Sequence, residues 1–333
     1  MLIKLGSLST ASAEEYRFSA AAIAAGDHHG GDRGIELVNP PKFAGAGLNR
    51  ADALQRRGRY NLPASASDIF GLEVSGTVGA LGSASTRFNV GEPVVALLAS
   101  GGYAEKVAVD EGHVLAAPQS MTVLEAAGVP EVAATLVSNI CMTGRFESGE
   151  TVLIHGASGG IGSFGIQLVK ALGGRVAVTA STDVKLAHAR ELGADILINY
   201  TTDDFAEKMS AAGGADIVLD TVAGPYLGRN LHALNPFGRI VTVGMQGGST
   251  GDLDFAMLMK KKATIIGTLL RDRSSAQKTA IMSETQRLVW PLLASGSIRP
   301  TIDRVFPLSQ VAAAHRYFDS HEHIGKILLD CRR

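Results

Sequence analysis

Cysteine is scarce in this chain, with only Cys141 and Cys331 among 333 residues. Two cysteines cannot form a disulfide framework, nor a zinc site built from three or four thiolates. Long apolar runs are lacking too, so the sequence predicts no membrane-spanning segment. The first residues include Lys4 but no apolar stretch of the kind that a secretory signal needs. Together these absences predict a soluble protein in the reducing cytoplasm.

An excess of one charge sign is also lacking: 31 lysines and arginines stand against 32 aspartates and glutamates, for a net charge of −1. No basic face or polybasic stretch therefore predicts binding to nucleic acid or to a membrane surface. Apolar residues make up 46% of the chain, and there are 39 glycines. This composition is typical of a packed α/β protein with many tight turns, and the length predicts about two domains.

The most informative stretch is TVLIHGASGGIG at Thr151–Gly162. Its first five residues are typical of a buried parallel strand, and the apolar residues after it recur at helical spacing up to Leu172. A strand, a glycine turn and a helix in this order predict a dinucleotide-binding site. Glycines let the backbone approach a pyrophosphate, and the helix N-terminus offers unpaired N–H groups. Ala157 stands where the usual first glycine would be.

Strand and helix patterns alternate after this turn, which predicts a doubly wound parallel sheet covered by helices on both faces. The predicted strands are 151–155, 175–180, 195–198, 216–220, 239–243 and 263–269, with helices at 161–173, 184–192, 203–212 and 225–233. Earlier in the chain, short strands at 72–81, 93–98 and 103–109 follow one another without helices, as in a small β-barrel. A long helix at 276–294 and the elements after it are expected to return to that first domain.

The end of the second predicted strand, 175–180, indicates which dinucleotide is bound. NAD-binding sheets carry a carboxylate there, about 20 residues past the glycines, that bonds the ribose 2′-hydroxyl. Here the chain continues instead into Ser181, Thr182 and Lys185, which favour a 2′-phosphate and therefore NADPH. Asp183 is expected to point into solvent at a helix N-terminus. The two hydroxyl residues could equally cap that helix, which is compatible with phosphate binding.

Several further motifs carry a family resemblance. They are GLNRADALQRRGRY at Gly47–Tyr60, DIFGLEVSGTV at Asp68–Val78, the glycine turn, and HIGKIL at His323–Leu328. In this order they resemble the zeta-crystallin-like NADPH:quinone oxidoreductases, a zinc-independent group of the medium-chain dehydrogenase/reductase superfamily. The resemblance implies a GroES-like catalytic domain formed by residues 1–124 and 275–333, and a Rossmann dinucleotide-binding domain at 125–274. It also implies a homodimer joined through the edge strand at 263–269, because an apolar edge is otherwise exposed.

The resemblance also bears on metal. Zinc-dependent alcohol dehydrogenases of this superfamily have a cysteine ligand in the first motif and a histidine ligand just before the glutamate of the second. Those places hold Asn49 and Leu72 here, so no metal site is expected. Without a metal to polarise a carbonyl, the site suits acceptors whose reduced anion is delocalised, namely quinones and conjugated enones.

Roles for individual residues follow from the resemblance. Asn49 and Tyr60 would line the pocket beside the nicotinamide, where either could hydrogen-bond the developing oxyanion and Tyr60 or water could supply the proton. Asn49 could instead be a helix N-cap, and Tyr60 could simply close a turn. The expected cofactor contacts are Ser158, Gly159, Gly160 and Ile161 at the pyrophosphate, Tyr200 at the 2′-phosphate, and Thr135, Gly244, Met245 and Leu269 near the nicotinamide. Ordinary packing is the alternative for Thr135, Tyr200, Met245 and Leu269.

One departure from the family concerns the chain before Gly47. The family has a strand of about seven residues that leads into the first motif, whereas Ile35–Phe43 passes almost at once to Ala46 here. Losing a barrel strand should expose a sheet edge and disturb the wall behind Asn49, unless the first 45 residues supply a substitute.

Three functions remain open from the sequence. The first is a zinc-free NADPH-dependent reductase of quinones. The second is a reductase of α,β-unsaturated carbonyls, including enoyl thioesters. The third is a non-enzymatic NADPH-binding protein, which the altered N-terminal region makes more plausible.

Overall fold

The structure, a computed structural model, describes residues 33–38, 45–60, 63 and 66–332, together with two short strands near the N-terminus. The chain divides into two compact units. The first unit comprises Met1–Ala134, Arg271–Trp290 and Ile302–Arg333, and the second comprises Thr135–Leu270 and Pro291–Thr301.

Strands and helices are numbered in chain order. The strands are β1 (Leu2–Ile3), β2 (Phe18–Ser19), β3 (Gly34–Val38), β4 (Gly45–Leu48), β5 (Glu73–Leu81), β6 (Pro93–Leu97), β7 (Lys106–Asp110), β8 (Val114–Ala116), β9 (Thr151–His155), β10 (Arg175–Ala180), β11 (Ile196–Asn199), β12 (Ala215–Asp220), β13 (Leu234–Thr242), β14 (Thr264–Gly267), β15 (Ile302–Pro307) and β16 (Lys326–Asp330). The α-helices are α1 (Arg50–Arg56), α2 (Val123–Ala126), α3 (Pro130–Leu136), α4 (Gly160–Ala171), α5 (Asp183–Glu191), α6 (Phe205–Ala211), α7 (Leu227–Ala233), α8 (Phe255–Lys261), α9 (Ser275–Ala294) and α10 (Val311–Asp319).

The second unit is built on a six-stranded sheet in the order β11-β10-β9-β12-β13-β14. All of its strand pairs are parallel. The order runs outward from β9 in both directions, which is the doubly wound arrangement that places a ligand at the carboxyl ends of the central strands. The predicted parallel sheet is confirmed. All five residues of β9 are buried, as expected for a strand with helices on both faces.

A missing side chain lets α4 lie directly on the sheet. A Cβ on Gly165 would come within 2.9 Å of Ile154 Cδ1 on β9. The neighbouring apolar residues of α4, Phe164, Ile166 and Leu168, are buried as well. The glycine turn between β9 and α4 is therefore held at a fixed place above the sheet.

The first unit contains an eight-stranded sheet in which β15, β16, β4, β5, β3 and β7 are successive neighbours, and β6 joins β5 to β8. It is the β-domain that the sequence predicts. Strand β3 lies between β5 and β7 and pairs with both in antiparallel register. The chain before residue 45 thus supplies a substitute strand, and the β5 edge beside β3 is not exposed. Strand β4, which leads into Asn49, is held between β16 and β5.

The bounds of the two units differ from the domain bounds expected from the sequence. Residues 125–134 lie in the first unit, where the Glu131 backbone N–H donates to Glu73 Oε2 at 2.9 Å. Residues 291–301 lie in the second unit, because Gln167 is bonded both to the carbonyl oxygen of Arg299, at 2.9 Å, and to its N–H, at 3.0 Å. Side-chain hydrogen bonds of this kind carry no local sequence signal.

One segment corrects the expectation that no apolar run is long enough to cross a membrane. Val123–Thr143 spans 21 residues with a mean hydropathy of 1.2, so by length and composition alone it is long and apolar enough to cross a membrane. Of its most apolar window, 78% is buried inside the protein, as in the core helix of a globular domain. The last part of this segment, Val137–Thr143, is a π-helix.

Candidate functional site

The turn after β9 has the geometry of a phosphate cradle. The backbone N–H groups of Gly156 and Ala157 donate to Thr179 O on β10 at 3.2 and 2.9 Å, which anchors the turn to the sheet. Gly156 has a φ of +90°, and a Cβ on Gly162 would lie 2.1 Å from the Gly156 carbonyl oxygen. Both positions therefore require glycine. Ala157 is fully buried within the turn, so its methyl group does not reach the space above.

The four predicted pyrophosphate contacts lie together at the start of α4. Ser158, Gly159, Gly160 and Ile161 are all half-buried, and Gly159 is the N-cap residue of this 12-residue helix. A Cβ on Gly159 would meet no heavy atom within 4 Å, so the cradle is open on that side. Unpaired N–H groups and the positive end of the helix dipole make this place suitable for an anion.

The other predicted cofactor contacts of the second unit follow the carboxyl ends of its parallel strands. Because parallel strands end at the same edge of a sheet, these residues share that edge with the glycine turn. They are Ser181 and Thr182 after β10, Tyr200 after β11, Gly244 and Met245 after β13, and Leu269 after β14. Thr135 lies on α3, almost fully buried.

The adenosine side of this edge combines hydroxyl groups with one acid. The Tyr200 backbone N–H donates to Ala180 O at 3.1 Å, so the tyrosine is adjacent to the end of β10. Thr182 caps α5, its Oγ1 accepting from the Lys185 backbone N–H at 3.4 Å, as the helix-capping alternative predicts. Asp183 is exposed, and its carboxylate accepts a hydrogen bond from the Asn199 amide at 3.3 Å. That partner was not foreseen, and it turns the acid towards the end of β11.

Asn49 belongs to a buried charged cluster in the first unit. Its Oδ1 accepts from Lys326 Nζ at 2.7 Å, and its Nδ2 donates to Glu73 Oε1 at 3.0 Å. The lysine also donates to Glu73 Oε1 at 2.5 Å, and both charged side chains are at most 5% exposed. A Cβ on Gly47 would lie 2.0 Å from the same carboxylate oxygen, so only glycine fits there. We call Asn49, Glu73 and Lys326 the buried triad.

The bonds of the triad limit what the Asn49 amide can donate to another molecule. Its second N–H points to Gly47 O at 3.4 Å, beyond the usual length of such a bond. One weakly bonded N–H is therefore the group that Asn49 can offer to an oxyanion. Asn49 is also the N-cap residue of α1, as the alternative predicts, and the Asp52 carboxylate accepts from its backbone N–H at 2.8 Å.

Tyr60 follows α1 and lies under a buried guanidinium. The Arg271 Cζ is 4.4 Å from the centre of the Tyr60 ring, and Arg271 Nη1 donates to Gln55 Oε1 at 3.1 Å. Burial raises the pKa of Tyr60 above its usual value, although the Arg271 charge acts in the opposite direction. The phenol thus keeps its proton at neutral pH and can donate a hydrogen bond. Tyr60 and Asn49 flank the same helix but have different partners.

Comparisons with known proteins agree with this architecture. Residues 42–119 match the family profile described as alcohol dehydrogenase GroES-like domain, and residues 160–285 match the one described as zinc-binding dehydrogenase. The synaptic vesicle membrane protein VAT-1 homolog of Rattus norvegicus is 30% identical over 299 residues, which cover 85% of this chain and 74% of that protein. The chain belongs to the medium-chain dehydrogenase/reductase superfamily.

Two solved structures of this superfamily illustrate its range. The quinone oxidoreductase of Thermus thermophilus, also determined in complex with NADPH, is 29% identical with a TM-score of 0.74, covering 89% of this chain and 91% of that chain. The enoyl reductase CurK is 26% identical with a TM-score of 0.77, covering 90% and 92% respectively. Oxidoreductases of both kinds are thus similar to this chain.

Zinc, which one of the matched profiles names, does not fit the residues present. Among the residues that the structure describes, no three His, Cys, Asp or Glu side chains are grouped as a metal site requires. The acceptor atoms of the buried triad, Asn49 Oδ1 and Glu73 Oε1, already bind an ammonium group. A metal ion there would have to displace Lys326, so we derive no step through zinc.

Sequence reasoning did not single out Glu73, Lys326 or Arg271 as parts of the site. Glu73 and Lys326 stand inside the DIFGLEVSGTV and HIGKIL motifs, which was an available signal. Their ion pair joins residues 253 positions apart, and pairing over that distance is visible only in the fold. Arg271 follows β14 with no pattern that predicts its place over Tyr60.

Proposed function

We propose that this chain is a zinc-independent reductase that uses NADPH to deliver hydride to a quinone. The observation that carries the proposal is the open glycine cradle at the carboxyl edge of the parallel sheet, beside a β10 end that lacks a carboxylate. An anion is favoured at the cradle by the helix dipole. At the β10 end, a 2′-phosphate would meet hydroxyl groups and Lys185. NADPH in the Thermus thermophilus relative supports the same assignment.

The chain's own residues then have three tasks. A reduced nicotinamide, when bound, supplies a hydride with its electron pair to the acceptor, and the acceptor oxygen becomes negatively charged. The weakly bonded Asn49 N–H or the Tyr60 hydroxyl donates a hydrogen bond to that oxygen, and Tyr60 or water passes it a proton. The buried triad holds the Asn49 amide in one orientation, because Lys326 binds its oxygen and Glu73 its nitrogen.

A panel of acceptors tests this reaction. NADPH oxidation is followed with several quinones, several conjugated enones and an enoyl thioester, beside a direct NADPH-binding titration. We expect turnover with quinones and loss of kcat/KM by more than tenfold in Tyr60→Phe or Asn49→Ala, since a lost oxyanion donor is costly. Effects of only a few-fold in both variants would mean that the protein contributes positioning alone.

Reduction of an enone or enoyl substrate is the second candidate, and the similarity to the enoyl reductase CurK favours it. Faster turnover of enones or of the thioester than of any quinone would select it. NADPH binding without turnover of any acceptor would instead select the non-enzymatic function.

We further propose a homodimer formed through β14. This strand ends the six-stranded sheet, and three of its four residues, including Ile265, are exposed. A second copy of the strand would pair its free backbone groups and cover the apolar side chain. Light scattering after gel filtration should give a dimer mass for the wild type and a monomer mass for Ile265→Lys. Val184→Lys, at an exposed apolar residue on α5, is the control that stays dimeric. A monomeric wild type, or a dimeric Ile265→Lys variant, would contradict the proposal.

A further inference from the structure

The segment Val137–Thr143 of the second unit is a π-helix. Segments of this kind are rare and are frequent at functional sites. This one begins just after Thr135, a predicted nicotinamide contact. Its third residue, Asn139, is only 2% exposed, and a buried amide is costly unless its polar atoms are bonded.

Asn139 connects two separate backbone segments. Its Nδ2 donates to the Thr135 carbonyl oxygen at 2.7 Å, and its Oδ1 accepts a short hydrogen bond from the Thr268 hydroxyl. A carbonyl oxygen can only accept, so the amide nitrogen must face Thr135 and the amide oxygen must face the hydroxyl. Thr268 is itself fixed to β13, because its backbone N–H donates to Thr242 O at 3.0 Å.

The two connected segments carry predicted contacts of the same half of the cofactor. Thr135 is at one end of this connection, and Leu269, which follows Thr268 directly, is at the other. We propose that Asn139 is a positioning residue for the nicotinamide ring: it holds these two segments at a fixed separation. This inference rests on the proposed function. It assigns to Asn139 no contact with the cofactor itself.

Isosteric substitutions can open the connection from either side. Asn139→Asp replaces the donor to the Thr135 carbonyl with a second acceptor, so the two oxygens repel each other. Thr268→Val removes the hydroxyl and leaves the Asn139 oxygen unpaired, with little change in volume. The matched control is Asn235→Ala. This variant loses one side-chain hydrogen bond, from the Asn235 amide to Asp216 Oδ1 at 2.9 Å, at the amino end of the sheet.

The measurement compares two ligands by isothermal titration calorimetry. 2′-Phospho-ADP-ribose lacks only the nicotinamide ring of NADPH, so the ratio of the two Kd values reports the contacts of the ring. For the wild type and for Asn235→Ala we expect NADPH to bind more tightly than 2′-phospho-ADP-ribose. In Asn139→Asp and Thr268→Val that advantage should fall about tenfold, the scale of one or two lost hydrogen bonds. The Kd of 2′-phospho-ADP-ribose should stay within about twofold of the wild type, because its contacts are untouched.

The outcomes separate this inference from the proposed function. If both variants keep the wild-type advantage of NADPH, Asn139 only braces its own helix and the inference is wrong. If the wild type binds the two ligands equally, the ring gains nothing from this region, and the inference fails while the cofactor assignment stands. If the wild type binds neither ligand, the proposed function fails and the inference falls with it. Thr268→Val serves as the test if the buried charge of Asn139→Asp prevents folding.

Discussion

The proposed cofactor edge of the second unit and the buried triad of the first unit handle charge in opposite ways. At the cofactor edge, the groups that face outward are backbone N–H groups, hydroxyls and half-exposed side chains around an open glycine turn. In the triad, a carboxylate and an ammonium group are enclosed by the protein and bonded to each other and to one amide. The edge is suited to receive a charge from a ligand, whereas the triad already contains its own counter-ion.

This difference separates the energetic consequences of mutation. A charge removed from an exposed place is replaced by solvent, with little effect on folding. Removing one member of a buried pair leaves the other charged and desolvated. We therefore expect the loss of one charge of the buried triad to appear as lost stability, and changes at the cofactor edge to appear as altered ligand affinity.

The largest expected effect is that of Lys326→Met. It leaves the Glu73 carboxylate buried without its ammonium partner and should lower the free energy of unfolding by about 3–5 kcal/mol. Urea denaturation measures the loss. Lys170→Met, which breaks the more exposed pair with Asp195, is the control and should cost about 0–1 kcal/mol. Equal costs for the two variants would remove the contrast between enclosed and open charge.

The second effect concerns two buried histidines. Burial lowers the pKa of His315 to about 4, and neither ring nitrogen has a hydrogen-bond partner within the described ranges of the chain. His155, in β9, has a partner on each ring nitrogen, Thr179 Oγ1 at 3.1 Å and Asn230 Oδ1 at 2.8 Å. His155 is therefore a fully hydrogen-bonded residue of the sheet, whereas His315 is not hydrogen-bonded to any of the described residues.

His315 should make stability depend on pH. In the unfolded chain the imidazole takes up a proton below about pH 6.5, whereas in the folded protein it does so only near pH 4. The contribution of neutral His315 to the free energy of unfolding is therefore fully present above pH 6.5. It is lost as the pH falls to 4, and the total loss is about 3 kcal/mol. The unfolding free energy of the wild type minus that of His315→Leu, measured between pH 4 and 7, isolates it. A difference that does not change with pH would show that His315 titrates normally.

The smallest of these effects is at the cofactor edge. Lys185→Glu should raise the KM for NADPH by about tenfold and leave the KM for NADH within about twofold, because only NADPH carries the 2′-phosphate. Steady-state kinetics with both cofactors gives the ratio. Arg190→Glu makes the same change of charge at an exposed residue of the same helix. It is the control for a general change in the electrostatic potential of the protein. A parallel rise for both cofactors would contradict the assignment of Lys185 to the phosphate.

The contrast also explains what the sequence could predict. The strands of the second unit were predicted to within one or two residues, apart from β13, because strand–helix alternation and glycine turns are local signals. Strand β13 begins at Leu234, earlier than predicted, since Pro236 and Gly238 resemble a turn. The triad was not predicted, because its members meet only after the β-sheet of the first unit has formed.

Other features depend on contacts between distant residues that no local pattern predicts. The substitute strand β3 pairs with β5 and β7, and nothing in its five residues identifies those partners. The sequence also does not predict the π-helix, since its residues are equally compatible with an α-helix. Both depend on long-range packing, which overrides local propensity.

The most direct test of the cofactor assignment is a calorimetric titration of the wild-type protein with NADPH and, separately, with NADH. An open glycine cradle beside a β10 end without a carboxylate predicts that NADPH binds at least about tenfold more tightly, since one charge-assisted contact to the 2′-phosphate is worth that much. Equal affinities, or tighter binding of NADH with Asp183 as the group that holds its ribose, would contradict the account.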